Sequence, residues 1–468
     1  MDIHESDASS LYNASYLWRS NRTMVALIKA AQLLLSLSIL VVLHEFGHYW
    51  AARFFKTRVE KFYLFMNPGF SLFKKQIGET EWGIGWLPLG GYVKIAGMID
   101  ESMDTEQLQA EPQPWEFRSK PAWQRMIIML GGIIVNLILG FAIYSMVLLV
   151  WGETVLPADR IPYGLEVDDR LESVGFQDGD QVRSINGEAT ETFTQIRRSL
   201  FFDSVEEVLV ERDGQEVLLT FDQDLGQMLV DSAIRKPFGL RMPCIVQELD
   251  PLKGAASGGM MAGDRILKLN GENLSFFGEV VSFLQDHPDE SIQVEVQRMN
   301  GTLSQLNCRT DSTGALGFSS VNAMDMNEFQ LEERTFSAGE ALVSGFALAS
   351  TTLQEYVLSM RFLFSKSGAS QVGSLVTFGS IFDAGWDWEI FWRNTAFFSL
   401  ILAFMNLLPI PALDGGHVVF LLYEMVAGKP APEKFLERAQ MVGIALLLTL
   451  MVYALGNDFW RLLTGQFS

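Results

Sequence analysis

A run of mostly apolar residues from Met24 to Leu43 leads directly into His44-Glu45-Phe46-Gly47-His48. Crossing a bilayer as a helix takes about 20 apolar residues. The run supplies them, interrupted by Lys29, Gln32 and serines. The His-Glu-x-x-His pattern therefore falls near one end of a membrane-crossing helix. Ionisable groups at that depth are costly and are kept mainly for function. On a helix, His44 and His48 stand one turn apart on one face, a spacing that suits two neutral imidazoles on Zn²⁺. Glu45 beside them can take a proton from a water that the metal acidifies. The competing reading, two helix-face histidines without a metal, is expensive in a hydrophobic span. The pattern points to a metal-dependent hydrolase working inside the membrane.

Three further uncharged runs are long enough to cross: Met126 to Trp151, Thr395 to Leu413 and Ala439 to Asn457. Trp123, Trp151, Trp392 and Trp460 sit near their ends, where amphipathic rings favour the interface. With 49% hydrophobic residues, the chain reads as a polytopic α-helical membrane protein of four transmembrane helices with sizeable water-exposed parts. The first run is too long for a signal peptide and lacks a small-residue cleavage site, so it reads as an anchor. Residues 1–23 are polar and unlike the rest of the chain, which makes Met24 a candidate start.

Charge orients the spans. Residues 53–94 carry seven Lys/Arg against three acids, and the positive-inside rule puts them in the cytoplasm. Residues 158–322 carry 28 acidic against 14 basic side chains, which argues against nucleic acid as a partner. Four crossings place this acidic middle outside. It holds both cysteines, Cys244 and Cys308, which read as free buried thiols ahead of a disulfide.

Between the first two spans, Phe62 to Ile95 is rich in glycine and aromatics and reads as a β-hairpin or meander. The acidic middle contains a repeat. Asp178-Gly179-Asp180 through Asn186-Gly187-Glu188 recurs as Ala262-Gly263-Asp264 through Asn270-Gly271-Glu272, 84 residues on. In each copy Gly-Asp opens an alternating strand, and Asn-Gly closes it with a turn needing positive φ. A helical stretch and another strand come next. The pattern resembles PDZ domains, which capture an extended peptide by adding it to a sheet edge. Ala338 to Phe364 reads as an amphipathic interfacial helix. A fifth crossing there would reverse the next span and carry its inner end to the wrong side.

A catalytic zinc needs a third protein ligand and one open position. The candidate segment is Asn406-Leu407-Leu408-Pro409-Ile410-Pro411-Ala412-Leu413-Asp414-Gly415-Gly416-His417, where two prolines break a span. Asp414 would then lie level with His44 and His48. His417 is chemically acceptable too, and Asp414 is also a plausible helix N-cap.

Together these motifs resemble the site-2 protease family of intramembrane zinc metalloproteases, and within it the RseP-type branch with tandem PDZ domains. The resemblance runs from Met24 onward. It rests on His44-Glu45-x-x-His48, Gly90-Gly91-Tyr92-Val93-Lys94, Gly132-x-x-x-Asn136, the two PDZ-like repeats and Asn406 to Gly416. It implies one Zn²⁺ per chain on His44, His48 and Asp414, with Glu45 as general base. It also implies substrate contacts from Asn406, Pro409, Pro411, Gly90, Gly91, Tyr92 and Asn136. The implied partners are single-span membrane proteins cut within the bilayer, such as anti-sigma factors or remnant signal peptides, with outer peptide segments meeting the PDZ-like domains. The implied location is the inner membrane, with the active site toward the cytoplasm and the PDZ pair outside, gating access by size. The chain departs from the family in its polar extension, its Asp100–Pro114 loop, and Gly373-Ser374 where relatives often carry Gly-Pro.

By these signals the chain divides into a polar extension (1–23), a first span (24–54), a cytoplasmic β-rich segment and loop (55–121) and a second span (122–152). Two PDZ-like domains come next (153–236 and 237–322), then an amphipathic linker (323–390), a third span (391–416), a cytoplasmic connection (417–438) and a fourth span (439–461). A non-catalytic PDZ scaffold and a metal transporter are the alternative functions. Glu45 speaks against the first, and the lack of a repeat among the spans against the second.

Overall fold

The computed structural model describes residues 4–88, 90–98, 111–221, 225–231, 234, 237–363 and 375–463; Gly373-Ser374 and most of the Asp100–Pro114 loop lie outside them. The chain divides into two compact units, one built on residues 25–152 and 335–468, the other on residues 153–334 with the first 24 residues.

In the first unit, four helices are long and apolar enough to cross a membrane: Thr23–Phe54, Ala122–Val150, Trp388–Leu407 and Lys434–Arg461. The first belongs to a longer helix, His4–Phe54, that continues back through the polar extension. The third ends at Leu407, short of Leu413, where the apolar run ends, and of 416, the expected end of the span. Proline disfavours helical geometry in the residue before it and has no N–H to donate. Accordingly Leu408 is extended, with φ −60° and ψ 143°. A separate helix, Asp414–Ala427, then occupies much of the segment read as a connection.

The first two spans meet at glycines. A Cβ on Gly47 would lie 2.3 Å from the Gly131 carbonyl oxygen, and one on Gly131 would lie 2.5 Å from that of Gly47. Small residues are what allow helix backbones to approach so closely. Several polar side chains inside the spans find partners across the helix bundle. Gln32 donates to the carbonyls of Asp383 and Gly385, and Lys29 to that of Ser380. Thr395 donates to Ser36 at 2.9 Å, and Ser399 to the Asn136 carbonyl at 2.7 Å. The long helix Ala338–Leu363 packs on the spans, with Phe346 against Phe141 and Tyr356 against Phe397 and Phe404.

After the first span come four strands: β1 (Val59–Leu64), β2 (Met66–Ile77), β3 (Thr80–Leu87) and β4 (Tyr92–Ile95). They form one sheet in the order β2-β3-β1-β4. Only β2 and β3 make the expected hairpin. The meander is corrected: β1 lies between β3 and β4, parallel to the former and antiparallel to the latter. β3 is thereby interior, and β4 is an edge strand.

The second unit holds two lobes with separate hydrophobic cores. Each has a four-stranded sheet of the same order. One runs Gln215–Thr220, Glu207–Arg212, Gln181–Ile185, Glu188–Ala189. The other runs Leu303–Arg309, Ser291–Gln297, Arg265–Leu269, Glu272–Asn273, strand for strand in the same sequence. The repeated Gly-Asp and Asn-Gly explain this. Asp180, buried, binds Arg212 and accepts from Gln177 N–H, while Asp264 does the same with Arg298 and Met261 N–H. Both arginines also reach a preceding carbonyl, of Gly175 and Gly259. Asn186 and Asn270 turn with φ of 50° and 48°. Their side-chain oxygens accept backbone N–H groups from the next long strand, of Glu207 and Gln293.

The lobe boundaries differ from 236/237 and 322. Phe238–Leu240 pairs with Leu165–Val167, and Ala323, Met326 and Phe329 complete the first lobe's core. A strand and a returning segment, remote in sequence, close the first lobe, which local pattern cannot reveal. Glu332–Arg334 then pairs with Glu153–Val155, so the unit begins and ends side by side.

Candidate metal centre

His44 and His48 lie on the first span, and both imidazoles need space where the second span crosses. Gly132 provides it: a Cβ there would lie 2.5 Å from His48 Nε2 and 2.6 Å from His44 Cε1. Asp414 arrives from the other side, as the first residue of the helix that restarts after the proline break. Among the described residues, these three form the one group of His, Cys, Asp or Glu side chains arranged to hold a metal. His417, the rival donor, is not part of it.

The three donor atoms form a triangle. His44 Nε2 and His48 Nε2 are 3.2 Å apart, and they lie 3.3 and 3.2 Å from Asp414 Oδ2. Tetrahedral ligands at about 2.0–2.1 Å from one zinc stand about 3.3 Å from each other, so the spacing fits. Asp414 Oδ2 is buried with no hydrogen-bond donor among the described residues, as expected of an atom meant for a cation. His48 Nδ1 lies 2.8 Å from the Ile128 carbonyl, which fixes the proton on Nδ1 and leaves the Nε2 lone pair for a metal. Sequence could not indicate that carbonyl, because any residue offers one.

The other candidates divide. Asn406 comes to the centre, its Nδ2 3.3 Å from His44 Nε2. Asn136 does so from the opposite face, its Nδ2 3.2 Å from His44 Nδ1, with the residue 1% exposed. Gly91 packs on the first span: a Cβ there would lie 2.7 Å from Val41 Cγ1 and 3.2 Å from Glu45 Cγ. The start of β4 is thus held beside Glu45. Tyr92 stacks on Tyr63 and donates to Asn67 Oδ1 at 2.9 Å. Pro409 is exposed and Pro411 half-buried in the loop before Asp414. Gly90 precedes the strand without touching the metal donors.

The model of peptidase family M50 matches residues 32–450, nearly the whole chain. The chain belongs to this family. It is similar along its length to Protease RseP of Yersinia pestis, 28% identical over 466 residues that cover 94% of this chain and 100% of the relative. It is likewise similar to the regulator of sigma-E protease RseP of Escherichia coli K12, 26% identical over 460 residues covering 92% and 98%. This M50 chain is therefore a site-2-protease-type zinc metalloendopeptidase, a multi-pass inner-membrane protein that acts on membrane-protein substrates in the bilayer.

Proposed function

We propose that this M50 peptidase hydrolyses single-span membrane proteins at one Zn²⁺ held by His44, His48 and Asp414, with Glu45 as general base. The observation that carries the reading is the triangle of three donor atoms, each 3.2–3.3 Å from the other two, at the junction of first span, second span and restarted helix. Zinc bound there supplies Lewis-acid activation of a water and of the scissile carbonyl. Glu45 accepts the proton of the attacking water and returns it to the departing amine. Asn406 donates from its amide to the oxygen on which negative charge develops.

Asn136 orients His44. A ligating Nε2 requires the proton on Nδ1, and the Asn136 amide turned to present Oδ1 accepts it. That orientation also gives a partner to Oδ1, which otherwise has none among the described residues. Asn136 is too buried for the substrate contact that the family resemblance implied. β4, an edge strand anchored next to Glu45, accepts the unwound substrate backbone as an added strand. A peptide bond in a transmembrane helix hides its polar groups in helical hydrogen bonds, so some edge must receive them once they are freed. The two lobes of the second unit act as PDZ-like peptide-binding domains outside the membrane, and the metal centre faces the cytoplasm. Candidate substrates are the anti-sigma-factor or remnant-signal-peptide type.

The test is cleavage of a model single-span substrate by purified full-length protein. A chelator should stop cleavage, and stoichiometric zinc should restore it. Unchanged cleavage in the metal-free protein would reject the reading.

A further inference from the structure

The segment Leu408–Leu413 must deliver Asp414 to the two histidines, yet it has little regular structure of its own. Ala412 carries a φ of 84°, a left-handed backbone that costs a residue with a Cβ. Such a conformation persists only where surrounding contacts over-determine it. Here those contacts come from the fourth span. The Ala412 N–H donates to Gln440 Oε1 at 3.2 Å, and Gln440 is 4% exposed. One turn further, Gly443 meets the loop directly. A Cβ on Gly443 would lie 1.6 Å from the Pro411 carbonyl oxygen and 2.3 Å from its carbon. The helix backbone therefore presses against Pro411 while the neighbouring amide holds Ala412.

The rest of the fourth span is loosely packed. Only 17% of its apolar window is buried, against 44% for the second and third spans. A second polar anchor lies near the far end, where Thr377 donates to Asp458 at 2.7 Å. So its contact with the loop is specific within a mostly exposed helix.

We infer that Gln440 and Gly443 are positioning residues for the third metal ligand: the fourth span clamps Pro411 and Ala412 so that Asp414 stands at ligand distance from His44 and His48. This rests on the metal-site reading above. Gln440 is polar because the strained amide needs a buried acceptor. Gly443 is glycine because the Pro411 carbonyl occupies the space of a side chain.

The experiment measures zinc affinity of the full-length protein in detergent by competition with a chromophoric chelator, on variants with wild-type thermal melts. Gln440→Met keeps the size and removes the acceptor, and should weaken zinc binding about 10- to 100-fold. Gln440→Glu, which retains an acceptor oxygen, should stay near wild type. Gly443→Ala should weaken binding as Gln440→Met does, and should it fail to fold, the near-isosteric Gln440→Met decides. Saturating zinc should restore cleavage by Gln440→Met, since the chemical groups are intact. Thr377→Val loosens the fourth span near its far end and should leave zinc affinity unchanged. Wild-type affinity in Gln440→Met, or equal losses in Thr377→Val or Gln440→Glu, would overturn the clamp. Asp414→Asn is the reference arm: if it binds zinc as wild type does, the ligand assignment itself has failed, and not only the clamp.

Discussion

Asp414 and His417 were chemically equivalent candidates, and what separates them is one turn of helix. Asp414 heads the helix Asp414–Ala427 and points its Oδ2 at both imidazoles, while His417 falls outside the cluster. Asp414→Asn is expected to lower zinc affinity by at least about 100-fold, and His417→Ala to leave it within about threefold. Metal content after dialysis against a weak chelator checks both; retention by the first and loss by the second would exchange their roles. The side chains that the structure brings together, His44, His48 and Asp414, were legible in the sequence because their chemistry is rare at membrane depth and the spacing of the two histidines matches the helical period. The groups that orient them were not. Ile128 holds His48 through its backbone carbonyl, which leaves no compositional trace. Gly47 and Gly131 look like ordinary membrane glycines until their backbones are seen in contact.

At the level of elements, local signals worked where the interaction was local. The prolines that end the third span, the Asn-Gly turns and the Gly-Asp strand openings were all readable. Strand order was not, because β1 between β3 and β4 is a pairing across sequence-remote segments. The same holds for Phe238–Leu240, which joins the first lobe. The repeated Asp–Arg staple gives an element-scale test. Asp264 is 2% exposed and holds Arg298, and it lies in the lobe whose core contains Cys244 and Cys308. Burial pushes the Cys244 thiol up to about 12 and that of Cys308 up to about 11, so both should be unreactive at neutral pH in the folded protein. Removing one partner of a buried ion pair costs about 3 kcal/mol or more. Asp264→Ala should therefore bring both thiols into reaction with a maleimide at clearly lower denaturant than wild type. An unshifted midpoint would mean the staple contributes little.

At the scale of the whole molecule, sidedness comes from four spans and the basic residues 53–94. The proposed topology, with residues 158–322 outside and residues 53–94 inside, follows from these two features alone. A single cysteine at the exposed position 191 (Glu191→Cys) should react with a membrane-impermeant maleimide in spheroplasts, whereas Gln76→Cys should react only after permeabilisation. The buried native thiols should stay silent in both. The reverse pattern would invert the topology and put the zinc centre nearer the outer face. The central claim, however, is chemical: a glutamate one residue from a zinc ligand performs proton transfer within the membrane. Glu45→Gln tests it most directly, since it keeps size and polarity and removes the base. Purified Glu45→Gln protein should hold as much zinc as wild type and show at least about 1,000-fold slower cleavage of a single-span substrate. Near-normal cleavage with normal zinc content would contradict the proton-transfer role of Glu45.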